Sequence, residues 1–316
     1  MDKGVATGRK QIPVSVIIPT RNRPEVLKKT LITFGNQTAQ AAEIIIIDGS
    51  EEFATKELIC LHAFDIDGEL IYLKAVELGA ATQRNQGFAL ANFPFILFAD
   101  DDVYLEPDCL HLLFQAMDDS PNVGGVSAMI TNQKYLPMGK ISSSLARLLL
   151  GKKLSSYAGK VIPPGWGMLP EDREDMPEVV EVEWLNLGAT LYKKEALPNP
   201  PFQPHFKGYS IMEDITLSAT VAKKWKLFNA RTARIYHDSQ PGDHKKNSFV
   251  LSRMELNNRH YLMTGILKRT SLKDYGRLII FETFGVISAL PRIASWKNLP
   301  GVLAGKAAAI YDIVAR

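Results

Sequence analysis

The sequence predicts an α/β chain: a nucleotide-binding half on a mostly parallel, Rossmann-like sheet, with a helical region at the C-terminal end. Three observations carry this. Runs of β-branched residues alternate with helix-patterned segments through the N-terminal third, each run ends in a polar cluster, and basic, apolar helical patterning takes over from Ser248. Strands alternating with helices imply βαβ units and a parallel sheet.

Residues 14–19 (VSVIIP) form a β-branched run stopped by a proline, as a buried strand would be. Pro24 opens a helical stretch with apolar Val26, Leu27, Leu31 and Phe34, closed by Gly35. Residues 43–48 (EIIIID) are a second buried strand that runs into Asp-Gly-Ser. A helix over 51–63, a strand over 70–74 and a helix over 80–91 follow. The strand over 95–99 then leads straight into Asp100, Asp101 and Asp102. Further strands are expected at 123–131, 188–192 and 227–236, and a helix at 214–224. Residues 162–177 are rich in proline and glycine, carry four acids, and read as a long mobile loop of the lid or binding kind. The expected organisation is a domain over 1–247, with halves at about 12–130 and 131–247, and helices over 248–316.

In open α/β sheets, ligands sit beyond the carboxyl ends of the strands, at the topological switch point. Thr20-Arg21-Asn22, Asp48-Gly49-Ser50 and Asp100-Asp101-Asp102 all fall at such ends, so three strands are expected to deliver polar side chains to one crevice.

Bulk properties narrow the function. The 316 residues are 46% hydrophobic, ample for a sizeable core. Lys and Arg total 37 against 34 acids, a net +3 without the concentrated basic stripe of a nucleic-acid binder. Cys60 and Cys109 stand far apart, which excludes a disulfide framework or a cysteine zinc site and suits a reducing compartment. Residues 1–11 are polar, unlike a signal peptide. The most apolar stretch, 278–290, is short and broken by Glu282. A cytoplasmic chain is expected, with peripheral contact at the inner face of the cell membrane through the basic, apolar helices.

Three adjacent carboxylates repel one another unless a cation or hydrogen-bond donors offset them. Mg2+ or Mn2+ prefers such oxygens and also accepts diphosphate oxygens, so Asp102 is a metal candidate and Asp100 a ribose candidate. The alternative is a solvated acidic turn capping the next helix. Asp48 can accept from a base or ribose, or simply make an Asp-Gly turn. Arg84 can supply fixed charge beside a phosphate, or lie on a helix surface. Asp214, where a helix starts, is kept ionised by the helix dipole and can serve as a general base, or merely cap the helix. His237 can be a third metal ligand with Asp238 behind it, or a structural histidine.

VSVIIPTRNR (14–23), EIIIIDGS (43–50), AATQRNQG (80–87), FILFADDDV (95–103), WLNLGATLY (184–192), MEDITLS (212–218) and YHD (236–238), in that order, resemble the inverting family 2 glycosyltransferases of the GT-A fold. The resemblance spans roughly residues 14–240. It implies that Pro19, Thr20 and Arg21 line the nucleotide pocket, Asp48 touches the base and Arg84 approaches the nucleotide. It implies that Asp100 and Asp101 face ribose and donor sugar, and that Asp102 binds Mn2+ or Mg2+. Asp214 would deprotonate the acceptor, while Trp184 and the Leu187-Gly188-Ala189 backbone would shape the sugar pocket. The implied partners are a nucleotide-diphosphate sugar and a saccharide or lipid-linked acceptor, in bacterial polysaccharide or glycoconjugate synthesis. A sugar nucleotidyltransferase is the enzymatic alternative, although Thr20–Pro24 lacks its glycine-rich phosphate loop. A non-catalytic scaffold of polysaccharide assembly is the other.

Overall fold

A computed structural model describes residues 9–118, 122–240, 247–290 and 293–315. Strand β1 (Lys10–Thr20) runs through the middle of a nine-stranded sheet. Its Val14, Val16, Ile17 and Ile18 have no exposed surface, so neither face of the strand meets water. Helix α1 (Pro24–Gly35) starts on Pro24, whose fixed φ suits a first turn, and buries Leu27, Leu31 and Phe34. Strand β2 (Ala39–Asp48), helix α2 (Ala54–Leu61), strand β3 (Glu69–Lys74), helix α3 (Ala80–Leu90) and strand β4 (Phe95–Ala99) complete the nucleotide-side half.

These strands lie in the order β3-β2-β1-β4, all parallel. The chain steps outward from β1 to β3, then returns over α3 to place β4 on the other side of β1. That reversal puts the switch point between the ends of β1 and β4. Helix α3 lies hard against β1. A Cβ on Gly87 would stand 2.5 Å from Ile17 Cγ2, so only glycine lets the helix down this far.

The remaining elements are β5 (Val103–Leu105), α4 (Cys109–Asp118), β6 (Val123–Ile130), α5 (Lys140–Leu150), β7 (Val161–Ile162), β8 (Trp166–Gly167), β9 (Val179–Val182), β10 (Ala189–Lys193), α6 (Glu213–Val221) and β11 (Lys226–His237). Strand β10 inserts antiparallel between β4 and β6; β11 runs parallel to β6 and antiparallel to β5 and β9. Because β10 is antiparallel, its beginning meets the end of β4, where the Asp100 N–H donates to the Gly188 carbonyl at 3.1 Å. Apolar residues cover both faces, with Ile18, Ile46 and Leu97 on one and Ile17, Ile45 and Phe98 on the other. The segment read as a long loop at 162–177 contains part of the small β7–β8 hairpin. It is tied to β11 at Asp172, which accepts from Arg231 (3.1 Å) and Arg234 (3.0 Å).

Three helices close the chain: α7 (Ser248–Tyr261), α8 (Leu272–Ala289) and α9 (Leu299–Val314). Asn247 caps α7, and Ser271 with Asp274 forms a reciprocal capping box on α8. Among the described residues, no helix is long and apolar enough to cross a membrane.

Candidate active site

The acidic triplet leaves β4 at the switch point, and each carboxylate meets a different partner. Asp101 is an anchor: its Oδ2 accepts from the Thr20 hydroxyl at 2.6 Å, its Oδ1 from Arg23 at 3.3 Å, and its carbonyl from Thr30 at 2.7 Å. Burial lifts its pKa to about 6, against the pull of Thr20 and Arg23. Asp102 lies 3.2 Å from His237 Nε2 and 3.5 Å from Arg23, and accepts from the Gln240 N–H at 3.3 Å. Burial raises its pKa, but His237, the Gln240 N–H and Arg23 together hold it below the usual carboxylate value. Asp100 accepts from Arg84 at 2.5 Å.

His237 reaches this wall because the three-residue β5, immediately after the triplet, pairs with the end of β11 (His237 opposite Val103). The Asp238 N–H then donates to the Asp102 carbonyl at 2.8 Å. Asp100, Asp102 and His237 each offer a ligand atom, and these atoms all lie within 4.8 Å of one another. Two carboxylates and an imidazole suit a divalent cation of the Mn2+ or Mg2+ kind. The surroundings agree. The cleft is lined by Arg21, Arg23 and Arg84 but also by Asp100, Asp101, Asp102, Glu213 and Asp214. An acidic excess of that size favours an added cation, the more so if an anionic diphosphate is to enter. Behind the imidazole stands Gln133, whose amide lies 3.2 Å from Nδ1. With the amide oxygen turned inward, Nδ1 carries the proton and Nε2 keeps its lone pair for a metal. Asp238, expected in that supporting place, instead accepts from the Tyr104 hydroxyl at 2.8 Å.

The opposite wall is the start of α6. The chain enters it with Ser210 (φ 55°) and Met212 (φ 71°) in the left-handed region, unfavourable for residues that carry a Cβ. Glu213 and Asp214 follow. Asp214 Oδ1 accepts from the Ile215 N–H at 2.7 Å, and burial raises its pKa to about 6 despite that bond and the nearby Arg84. Burial also raises Glu213, against the pull of Arg84. Arg84, 4% exposed, bonds Glu213 with one guanidinium nitrogen and Asp100 with the other. Burial disfavours its charge, but Glu213 and Asp100 more than offset this, and it stays cationic. One buried arginine therefore joins the two walls.

Residues 15–164 match the family model for Glycosyl transferase family 2. The chain belongs to that family. Among curated relatives, a GalNAc(5)-diNAcBac-PP-undecaprenol beta-1,3-glucosyltransferase of Campylobacter jejuni is 24% identical over 83% of this chain and 77% of its own length. Glycosyltransferase GlyA of Streptococcus pneumoniae is 26% identical over 32% of this chain, which spans only 14% of that larger protein. Two solved structures share the GT-A fold with it. A mannosyltransferase from Pyrobaculum calidifontis, in complex with GDP-Man and Mn2+, has a TM-score of 0.54 at 15% identity, covering 96% of this chain and 76% of its own. S. aureus TarS 1–349, in complex with UDP-GlcNAc, has a TM-score of 0.56 at 14% identity, covering 93% and 79%.

The cleft of this family 2 glycosyltransferase encloses about 670 Å³, within the range of small-molecule sites. Pro19, Thr20, Arg84, Asp100, Asp101, Asp102, Asp214 and His237 all line it, as do Trp184, Leu187 and Gly188. Arg21 lines the rim, half-exposed and 3.8 Å from Glu51. Asp48 is not among the lining residues. It ends β2, one strand outside the switch point, and is fully buried. Its oxygens accept from the Ser50 N–H (2.8 Å), the Ser50 hydroxyl and the Tyr72 hydroxyl (2.9 Å). Arg23 and Gln133 had been given no role from the sequence. Arg23 sits in a turn of ordinary polar composition, and its partner Asp101 lies 78 residues along the chain.

Proposed function

We propose that this chain transfers a sugar from a nucleotide-diphosphate donor to an acceptor hydroxyl, with inversion at the anomeric carbon. The observation that carries the reading is the pairing of unlike walls in one cleft: a three-ligand cation site on one side and a buried carboxylate of raised pKa on the other.

Asp100, Asp102 and His237 hold the divalent cation, with Asp101 fixing the triplet and Gln133 orienting the imidazole. When bound, the cation neutralises charge that builds on the departing diphosphate. Pro19, Thr20 and Arg21 border the nucleotide, and Trp184 with the Leu187-Gly188 backbone bounds the sugar. Asp214 accepts the acceptor's hydroxyl proton as its oxygen forms a bond to the anomeric carbon. The bond from that carbon to the diphosphate oxygen breaks, and its electron pair leaves with the nucleoside diphosphate. One displacement from the face opposite the leaving group inverts the configuration. Arg84 keeps Asp100 and Glu213 apart in charge and fixed in place, which orients both walls before substrate arrives.

The two curated relatives support a place in bacterial glycoconjugate assembly, with a saccharide or lipid-linked acceptor and a cytoplasmic setting. Two measurements test the reading. Calorimetric titration of nucleotide sugars should show Mn2+-dependent binding that Asp102→Ala removes. Proton NMR of the product should show the anomeric configuration opposite to the donor's; a retained configuration would replace single displacement with another mechanism.

A further inference from the structure

The C-terminal helices are patterned inside out. Helix α9 packs on α7 with its small residues: a Cβ on Gly305 would lie 2.3 Å from the Phe249 carbonyl oxygen, one on Gly301 2.2 Å from Ser248 Oγ, and Ala309 is fully buried. These residues recur every four positions, so they form one flat stripe. The opposite side carries Leu303, Ile310, Tyr311 and Val314, and Val314 is 80% exposed. In water a helix gains by burying its large apolar side chains and showing its small or polar ones. Helix α9 does the reverse, an arrangement suited to an apolar medium outside the protein.

Helix α8 repeats the pattern. Leu272, Ile279, Ile287 and Leu290 fall at spacings of seven, eight and three, on one outward stripe, with Leu272 91% exposed. The charged residues on the two helices look inward instead. Glu282 of α8 pairs with Lys306 of α9 and with Arg259 of α7, and Asp312 of α9 pairs with Arg253 of α7. Between the helices, Trp296 is 59% exposed.

The charge left on this surface has one sign. The acids of 262–315 are Asp274, Glu282 and Asp312, and each is held in a hydrogen bond or ion pair with a neighbouring side chain. Lys268, Arg269, Lys273 and Lys297, by contrast, are exposed. We propose that the outward faces of α8 and α9 dock on an anionic lipid surface, with the apolar stripes in the acyl boundary, Trp296 at the headgroup level and these four basic residues over the anionic headgroups. A second copy of the chain is a poorer occupant, because a two-fold contact would bring this basic rim against itself. The docking holds independently of the transfer chemistry and is measured apart from it.

Flotation of the full chain with vesicles tests it. Binding is expected to vesicles of mixed phosphatidylglycerol and phosphatidylcholine at low salt, and to fall steeply with salt or on pure phosphatidylcholine. Each of Lys268→Gln and Lys273→Gln should weaken binding about fivefold, the worth of one basic residue near an anionic leaflet. The double variant Ile279→Glu/Ile310→Glu changes two outward positions and should lose vesicle binding while its circular dichroism and donor turnover stay unchanged. Absence of wild-type flotation with anionic vesicles overturns the proposal, as does binding that ignores the double variant. Sedimentation adds a third outcome: a dimer that Ile310→Glu dissociates, without vesicle binding, would assign this face to a second copy.

Discussion

Along the Asp100–Asp102 wall, each carboxylate is met by a donor or cation: Arg84 at Asp100, Thr20 and Arg23 at Asp101, His237 and the Gln240 N–H at Asp102. At the start of α6, burial outweighs the available partners, and both Glu213 and Asp214 rise above ordinary carboxylate values. The same residue type is tuned in opposite directions a few residues into two elements. Asp102 stays anionic over the whole working range, as a metal ligand must. Asp214 is held near the point where it can take up and release a proton, as a base must.

Asp214→Asn should sharpen that contrast most. With its base removed, kcat is expected to fall about 10²–10⁴-fold, while Mn2+-dependent donor binding is unchanged. The same change should stabilise the fold above pH 6. A carboxyl raised from 3.8 to about 6 favours folding fully only while protonated, and that contribution is lost as pH rises through about 6. A neutral isostere therefore recovers on the order of 3 kcal/mol at pH 8 and nothing at pH 3. Thermal melts at the two pH values check this, and equal shifts at both would remove the raised carboxyl.

Arg84→Met attacks the link between the walls. It strands Asp100 and Glu213 beside a buried apolar chain, a loss of about 3–5 kcal/mol for breaking one side of a buried pair. Adding Glu213→Gln should recover part of that loss. If the double variant is no more stable than the single one, the Arg84–Glu213 contact is not what the arginine supports.

The split between legible and illegible features follows from what a local pattern can encode. Helix α1 was readable to the residue because Pro24 and Gly35 punctuate it, and β1 and β4 because buried strands are continuous apolar runs. Three-residue β5 has no periodicity to detect, yet it is what seats His237 beside Asp102. Helix α5, with three serines in a row, was missed: it depends on Leu145, Ala146 and Leu149 packing with Phe281 and Phe284 from α8. The triplet, His237 and Asp214 were recognisable as residue types at strand and helix ends. The roles of Arg23 and Gln133 were not, since each is defined by a partner 78 or 104 residues distant. Asp48 shows the reverse case: the strand end was read correctly, but only the strand order reveals that β2 lies one step beyond the switch point.

Gln133→Leu probes the metal-side wall more gently. Removing the group that orients a ligating imidazole commonly weakens metal affinity about 10–100-fold. Activity should return at high Mn2+ with kcat unchanged, and the donor KM should follow metal occupancy. A kcat that stays low at saturating Mn2+ would place Gln133 in contact with substrate instead.

The smallest effect separates the walls by pH. At saturating Mn2+, the metal-side ligands are held by the cation and the remaining proton-sensitive group is Asp214. Because the base works only when deprotonated and its pKa is about 6, kcat should be halved near pH 6 and fall about tenfold for each unit below that. At limiting Mn2+ a second acid limb should appear, from protons competing with metal at His237, and raising the metal concentration should abolish it. Two acid limbs that both persist at saturating Mn2+ would mean that the walls titrate as one unit, and the division of labour between Asp102 and Asp214 would fail.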